Sequence, residues 1–389
     1  MVTNLPAKVK AKWAEVVACR SIPEKIRLMR EFVAICPKHK GTSKLLANVR
    51  RKIAALEEEL ERAKARRRGP RVQAFSIPKE GAGQIIILGL TNSGKSSLLA
   101  SITNAKPEIS PIPYMTRKPI PGMLQYEDIQ FQLIEAPALV EGASRGRMHG
   151  TQILGLARNS DGLIIMVDLS EDSVRQFRII LSELEAAGMT IEKLEGEVEI
   201  VRLRSGFGVK VVGNGSLTDC TLDDVRRLLN EYKIGSAIVK VRGKVTLDMI
   251  EDSIFSSYTY KPAIIIANKL DIDGAEKSLK RLIREVNGRI PIIATSCLTG
   301  EGLNKIGETI FHMLGIIRVY SKEPSSKKPS GKPVVVKEGA RAIDIAKRLH
   351  SELYRRFRYA RVWGPSAKYP GERVGPDHIM MDGDVIEIH

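Results

Sequence analysis

Gly89-Leu90-Thr91-Asn92-Ser93-Gly94-Lys95-Ser96 decides the fold, because it is a GxxxxGKS phosphate-binding loop in the setting that gives that spacing meaning. Before it, Gln84-Ile85-Ile86-Ile87-Leu88 is a short apolar run of strand type. After it, Ser96-Ser97-Leu98-Leu99-Ala100-Ser101 reads as the start of a helix. In such a turn the backbone N–H groups form an anion nest, and glycine lets the chain wrap closely around phosphates. Asn92, Ser93, Gly94, Lys95, Ser96 and Ser97 are therefore the expected phosphate cradle. Lys95 is expected to reach the β- and γ-phosphates, and Ser96 to hold Mg²⁺.

Far downstream, Asn268-Lys269-Leu270-Asp271 has the NKxD form and follows the apolar run Ala263-Ile264-Ile265-Ile266-Ala267. Both motifs thus sit at the carboxyl ends of predicted strands, where open α/β sheets bind ligands. The carboxylate of Asp271 can accept from both N1–H and the 2-amino group of guanine, a donor pair that adenine lacks. A site built for that pair discriminates strongly, because losing a buried hydrogen bond is costly. Asn268 and Lys269 are expected to brace and cover the base.

Between residues 84 and 314, predicted strands alternate with amphipathic helices: Met123–Glu127, Ile129–Glu135, Gly162–Asp168, Ala263–Ala267 and Pro291–Thr295, with helices Met148–Arg158, Asp172–Ala187, Glu276–Val286 and Leu303–Leu314. This rhythm predicts an α/β fold with a doubly wound, mostly parallel sheet. Residues 188–261 interrupt it and read as a small α+β insertion. Residues 1–80 read as a basic helical region with a helical hairpin, and residues 81–320 as the nucleotide domain. Residues 321–331 have the composition of a linker, and residues 332–389 read as a β-rich module with one helix over Ala342–Arg356.

The formal net charge is +17. It is segregated: residues 1–80 carry +12, residues 81–320 are neutral and residues 321–389 carry +5. Basic flanks on a neutral nucleotide domain suit a polyanion such as RNA; a generally basic surface is the plainer alternative. Arg62–Arg71 holds the densest basic run. In the tail, Tyr354, Arg355, Arg356, Phe357, Arg358, Tyr359, Arg361 and Trp363 interleave aromatic and basic residues, which suits either base stacking or a small core. The four cysteines are far apart, with no CxxC spacing for zinc. Apolar runs fall well short of a membrane span, and the amino terminus reads as no secretory signal, so a cytoplasmic protein without membrane association is expected.

The chain resembles the developmentally regulated GTP-binding proteins, within the Obg class of GTPases. The resemblance rests on the two motifs, Thr116 before Ile120-Pro121-Gly122-Met123, Val140-Glu141-Gly142-Ala143 with Arg145-Gly146-Arg147, and Thr295-Ser296-Cys297-Leu298-Thr299-Gly300-Glu301-Gly302-Leu303. Tyr359–Tyr369 and Arg373-Val374-Gly375 look like the TGS module of that family, a ubiquitin-like β-grasp fold. The resemblance implies GTP and GDP as ligands, slow hydrolysis, and association with ribosomes or structured RNA in translation, with a regulatory partner protein a further expectation. It makes Thr116 the switch threonine closing on Mg²⁺ and the γ-phosphate, with Lys95 and Thr116 the catalytic pair. Ser296 and Cys297 are implied contacts to the base, and Asn92 stands where potassium-stimulated relatives bind K⁺.

One departure stands out. Where the family has Asp-x-Pro-Gly, this chain has Glu135-Ala136-Pro137-Ala138. Glu135 keeps the charge expected near Mg²⁺ but is one methylene longer, and Ala138 keeps the N–H but resists positive φ. Leu139 occupies the position of a water-orienting glutamine, so turnover should be no faster than the order of 10⁻⁴ to 10⁻² per second. A non-hydrolysing RNA or protein adaptor with a degenerate nucleotide domain is the alternative.

Overall fold

The computed structural model describes residues 5–19, 21–37, 42, 45–54, 56–57, 75, 77–105, 118–192, 196–203, 208–255, 259–324 and 328–389. The chain divides into two compact units. One is Met1–Ala74, Ser144–Arg147 and Ser182–Tyr260; the other is Phe75–Ala143, Met148–Leu181 and Lys261–His389.

In the second unit the apolar runs form a six-stranded sheet. Its order is Ile292–Ala294, Ala263–Asn268, Gly162–Asp168, Gly83–Gly89, Ile129–Glu135 and Ile120–Tyr126. Every neighbouring pair is parallel except the last, which is an antiparallel hairpin. Gly83–Gly89, Gly162–Asp168 and Ala263–Asn268 are buried at every position. That is why they read as unbroken apolar runs: central parallel strands are covered on both faces. Register pairs Ile87 with Glu135, Gly89 with Met166 and Asn268 with Asp168. The phosphate loop, Glu135, Asp168 and the guanine motif therefore leave the sheet along one edge.

The terminal module is a five-stranded sheet in the order Val334–Lys337, Ile316–Ser321, Asp384–Ile388, Ala360–Trp363, Glu372–Val374. Ile316–Ser321 and Asp384–Ile388 are parallel and the other pairs antiparallel, the β-grasp arrangement. The predicted boundaries need correction here. Ile316–Ser321 is the first strand of this sheet and pairs with Val334–Lys337, so the sheet begins before the boundary expected at 332, and Ser330 N–H returns to Ser321 O at 2.8 Å. The predicted helix over Ala342–Arg356 is also two, Ala342–Leu349 and Ser351–Arg355. His350 breaks it in extended backbone, and its Nδ1 caps the second piece by accepting from Glu352 N–H at 3.2 Å.

The module is fastened to the nucleotide domain. Arg318 donates to Asp382 and reaches Glu127 and Asp128 in the hairpin turn between Ile120–Tyr126 and Ile129–Glu135. Tyr320 Oη donates to Asp128 at 2.5 Å, and its phenol is pushed up to about 12 by that carboxylate and by burial.

The first unit corrects the sequence division in another way. Helices Ala7–Ala18 and Ile22–Ile35 do not stand alone. Val9, Trp13, Met29, Phe32 and Val49 share one core with Val225, Leu229, Tyr232, Val239, Val241 and Ile250 of the insertion. The Trp13 and Phe32 rings lie 4.8 Å apart. The insertion is a four-stranded sheet built around Ala237–Val245, with helices Leu222–Glu231 and Leu247–Phe255. Tyr232 Oη donates to Glu251 Oε1 at 2.5 Å within this core, and burial raises the Glu251 carboxyl above its ordinary range. The basic run Arg62–Arg71 lies outside the described residues.

Candidate nucleotide-binding site

The loop Leu90–Gly94 turns from Gly83–Gly89 into the helix Lys95–Ile102. Two residues make the turn by left-handed backbone: Asn92 at φ 59°, exposed at the tip, and Gly94 at φ 93°. Asparagine tolerates that region better than other side-chain-bearing residues. At Gly94 a Cβ would lie 2.2 Å from Asn268 Nδ2, so glycine is required by space as well as by φ. Ser93 is buried and its Oγ donates to Leu90 O at 3.1 Å, closing the loop. Ser97 is half-buried in the first helical turn.

Lys95 is 6% exposed and folds back on the loop, donating to Gly89 O at 3.2 Å and Leu90 O at 2.7 Å. Burial lowers its ammonium to about 8, opposed by the nearby Glu135 charge. Its hydrogen bonds go to neutral carbonyls, and an arriving phosphate would add counter-charge beyond that of Glu135.

Ser96 Oγ donates to Glu135 Oε1 at 2.5 Å, and Glu135 is 1% exposed. The longer side chain therefore does reach the hydroxyl expected to ligate Mg²⁺. Ser96 and Glu135 form an oxygen donor pair suited to that hard cation. Thr116, the third expected ligand, lies outside the described residues. Ala138 is not among the positive-φ residues, so its peptide sits in ordinary backbone space. Leu139 is 1% exposed and its N–H is bonded to Gly89 O at 3.0 Å, so its side chain belongs to the core rather than to an attacking water.

The guanine motif is tied to the phosphate loop. Asn268 Nδ2 donates to Ser93 O at 3.2 Å, while its Oδ1 accepts from Cys297 N–H at 3.2 Å. One side chain thus spans both motifs. Lys269 holds φ 67° and its Nζ pairs with Asp168. Ser296 Oγ donates to Asp271 at 2.5 Å and accepts from Thr299 N–H at 3.1 Å, which aims the carboxylate. Ser296 and Cys297 therefore brace Asp271 and Asn268. Burial pushes the Cys297 thiol up to about 11, so it is inert at neutral pH.

Asp168 is a residue of this site that no sequence motif marks. It accepts from Ser170 N–H at 2.8 Å and Ser170 Oγ at 2.6 Å and orients Lys269. Its signal is an acidic residue closing a fully buried strand; Glu135 likewise closes a strand that is buried except at Gln130.

Known proteins are similar to this chain over most of its length. Residues 84–197 match the family described as 50S ribosome-binding GTPase, residues 206–316 the C-terminal region of MMR_HSR1 domain, and residues 326–389 the TGS domain. A GTP-binding protein of Methanocaldococcus jannaschii is 32% identical over 370 residues, covering 94% of this chain and 92% of its own. The developmentally-regulated GTP-binding protein 2 homolog of Dictyostelium discoideum is 30% identical, covering 94% and 99%. Its human counterpart, developmentally-regulated GTP-binding protein 2, is 29% identical with the same coverage. Fold and site define a P-loop guanine-nucleotide-binding protein. The chain belongs to the developmentally regulated GTP-binding protein family, with a C-terminal TGS domain.

Proposed function

We propose that this protein is a slow, Mg²⁺-dependent GTPase of the cytoplasm that acts in translation, engaging ribosomes or structured RNA through its basic segments. The hydrogen bond between Ser96 and Glu135 supports the catalytic half of this reading, because it joins the substituted carboxylate to the hydroxyl expected to hold Mg²⁺. When bound, Mg²⁺ neutralises charge on the β- and γ-phosphates. Lys95 adds a positive charge from the loop, and the Ala138 N–H is available to the γ-phosphate. Water attacks the γ-phosphorus, the bond to the β-phosphate oxygen breaks, and GDP and inorganic phosphate leave. With Leu139 in the core, no side chain from that position orients the water, and the rate stays low. Asn92, exposed at the loop tip, is where K⁺ would act; K⁺ in place of Na⁺ is expected to raise the rate.

Charge segregation supports the RNA half, as does the ribosome-binding description of the matched family. Among the described residues no helix is long and apolar enough to cross a membrane. Ribosome co-sedimentation across a salt series tests the reading. If about six phosphates are neutralised, the log–log slope is about −4 to −5. Changing Arg66, Arg67, Arg68 and Arg71 to Ala should flatten it without altering GTP affinity. Salt-independent pelleting, or none, contradicts the RNA reading. The second reading, a non-hydrolysing adaptor, is favoured only by Ala138, which cannot take a glycine's positive φ cheaply.

A further inference from the structure

The terminal sheet carries one charge arrangement that works against its own stability. Strand alternation sends Ala360 and Val362 into the module core, leaving Tyr359, Arg361 and Trp363 on the opposite face. In register, Arg361 stands directly across from Arg373 on one neighbouring strand and from Glu387 on the other. Like charges directly opposed across a strand pair are destabilising. Glu387 is already committed, accepting from Lys322 Nζ at 2.8 Å and bonded to His389 Nε2 at 2.7 Å. Both arginines are exposed, and among the described residues neither makes an ion pair.

The rings on this face are occupied, which corrects the expectation of base stacking for two of them. Tyr359 stacks on His389, with centroids 4.7 Å apart and planes 9° from parallel, and carries the Arg373 guanidinium 3.9 Å from its centroid. Trp363 lies under Lys322 at 4.2 Å, and Gly371 approaches it so closely that a Cβ would be 3.3 Å from Nε1. The rings act as a floor that fixes the cations; they are not open to bases.

We propose that Arg361 and Arg373 form a two-arginine clamp for the phosphodiester backbone of an RNA strand laid across the TGS sheet. The proposal rests on the RNA reading above and assigns it a site. Guanidinium forks bind phosphate oxygens bidentately, and stacking on Tyr359 holds Arg373 ready for that contact. Two opposed cations without carboxylate partners are what an anion bridging them would relieve.

The test is fluorescence anisotropy of a labelled 20-nucleotide single-stranded RNA with the full chain across a salt series. Each phosphate contact on a single strand contributes about 0.7 to the log–log slope, so Arg361→Gln with Arg373→Gln should make it shallower by about 1.4. Arg361→Lys with Arg373→Lys should restore most of it. Lys280→Gln with Arg281→Gln, which removes the same charge from an exposed helix of the nucleotide domain, should leave it unchanged. A wild-type slope in the double Gln variant overturns the clamp alone. An equal loss in the Lys280–Arg281 control shows an unspecific charge effect and also overturns it. No binding by the wild type overturns the clamp and the RNA reading together.

Discussion

Nucleotide binding should take up a proton, because Lys95 is buried against neutral carbonyls with an ammonium near 8 when the site holds no phosphate. Bound diphosphate or triphosphate should return it to at least its ordinary value of about 10.4. At pH 8 half of the free protein then has a neutral Lys95, so GDP binding takes up about half a proton; at pH 7 the figure is about a tenth. The same arithmetic weakens apparent GDP affinity about fourfold between pH 7 and pH 8.5, below the range where guanine N1–H is lost. Calorimetric titration of GDP at pH 8 in two buffers of different ionisation enthalpy measures the uptake directly. Lys95→Met should bind more weakly, with uptake near zero. An uptake below about a tenth of a proton at pH 8 in the wild type would refute the reasoning, since Lys95 would then be fully charged before nucleotide arrives. The linkage to folding has a fixed sign: with the folded value depressed, the unfolded chain binds more protons between about pH 8 and 10.4. Across that window the Lys95 contribution to stability rises with pH.

Three further outcomes follow from the same geometry. Asp271→Asn should weaken GTP binding and admit xanthine nucleotides, whose exocyclic oxygen accepts where guanine donates; competition binding reads this out, and unchanged guanine preference would count against the assignment. Tyr232→Phe should cost about 1 to 3 kcal/mol in urea unfolding, because the Glu251 carboxylate loses its buried donor. As the folded Glu251 value is raised, its contribution to stability falls as pH climbs from the ordinary carboxylate range through that value, and Glu251→Gln should remove this part of the pH dependence. Glu135→Asp with Ala138→Gly, restoring the family pattern, should leave the hydrolysis rate equal or faster; a marked loss would mean that the Glu135 contact to Ser96 has its own working geometry.

The nucleotide site was legible in the sequence because its chemistry is local. Glycines, Lys95 and Ser96 lie within one turn, and fully buried parallel strands announce themselves as Gln84–Leu88 or Ala263–Ala267 without needing a partner. Features set by distant pairing were not legible. Ile316–Ser321 follows the helix Ile306–Leu314 after Gly315 alone, so nothing local separates it from the nucleotide domain; its pairings with Val334–Lys337 and Asp384–Ile388 assign it to the TGS sheet. The shared core of Trp13 and Phe32 with Tyr232 and Val239 joins segments about 200 residues apart, and amphipathic periodicity does not name a helix's partner. Asp168 went unread because a single acidic residue has no motif spacing. The aromatic residues of the tail were ambiguous for a related reason: Tyr359 and Trp363 acquire their meaning from Arg373, Lys322 and His389, which other strands bring to them.

The claim that this is a working enzyme rests most directly on single-turnover hydrolysis of GTP with Mg²⁺, with the chain in excess and phosphate release followed to completion. Release is expected on the order of 10⁻⁴ to 10⁻² per second, absent without Mg²⁺ and abolished in Lys95→Ala. Tight GTP binding with no release above the Lys95→Ala background would contradict it and establish the non-hydrolysing adaptor instead.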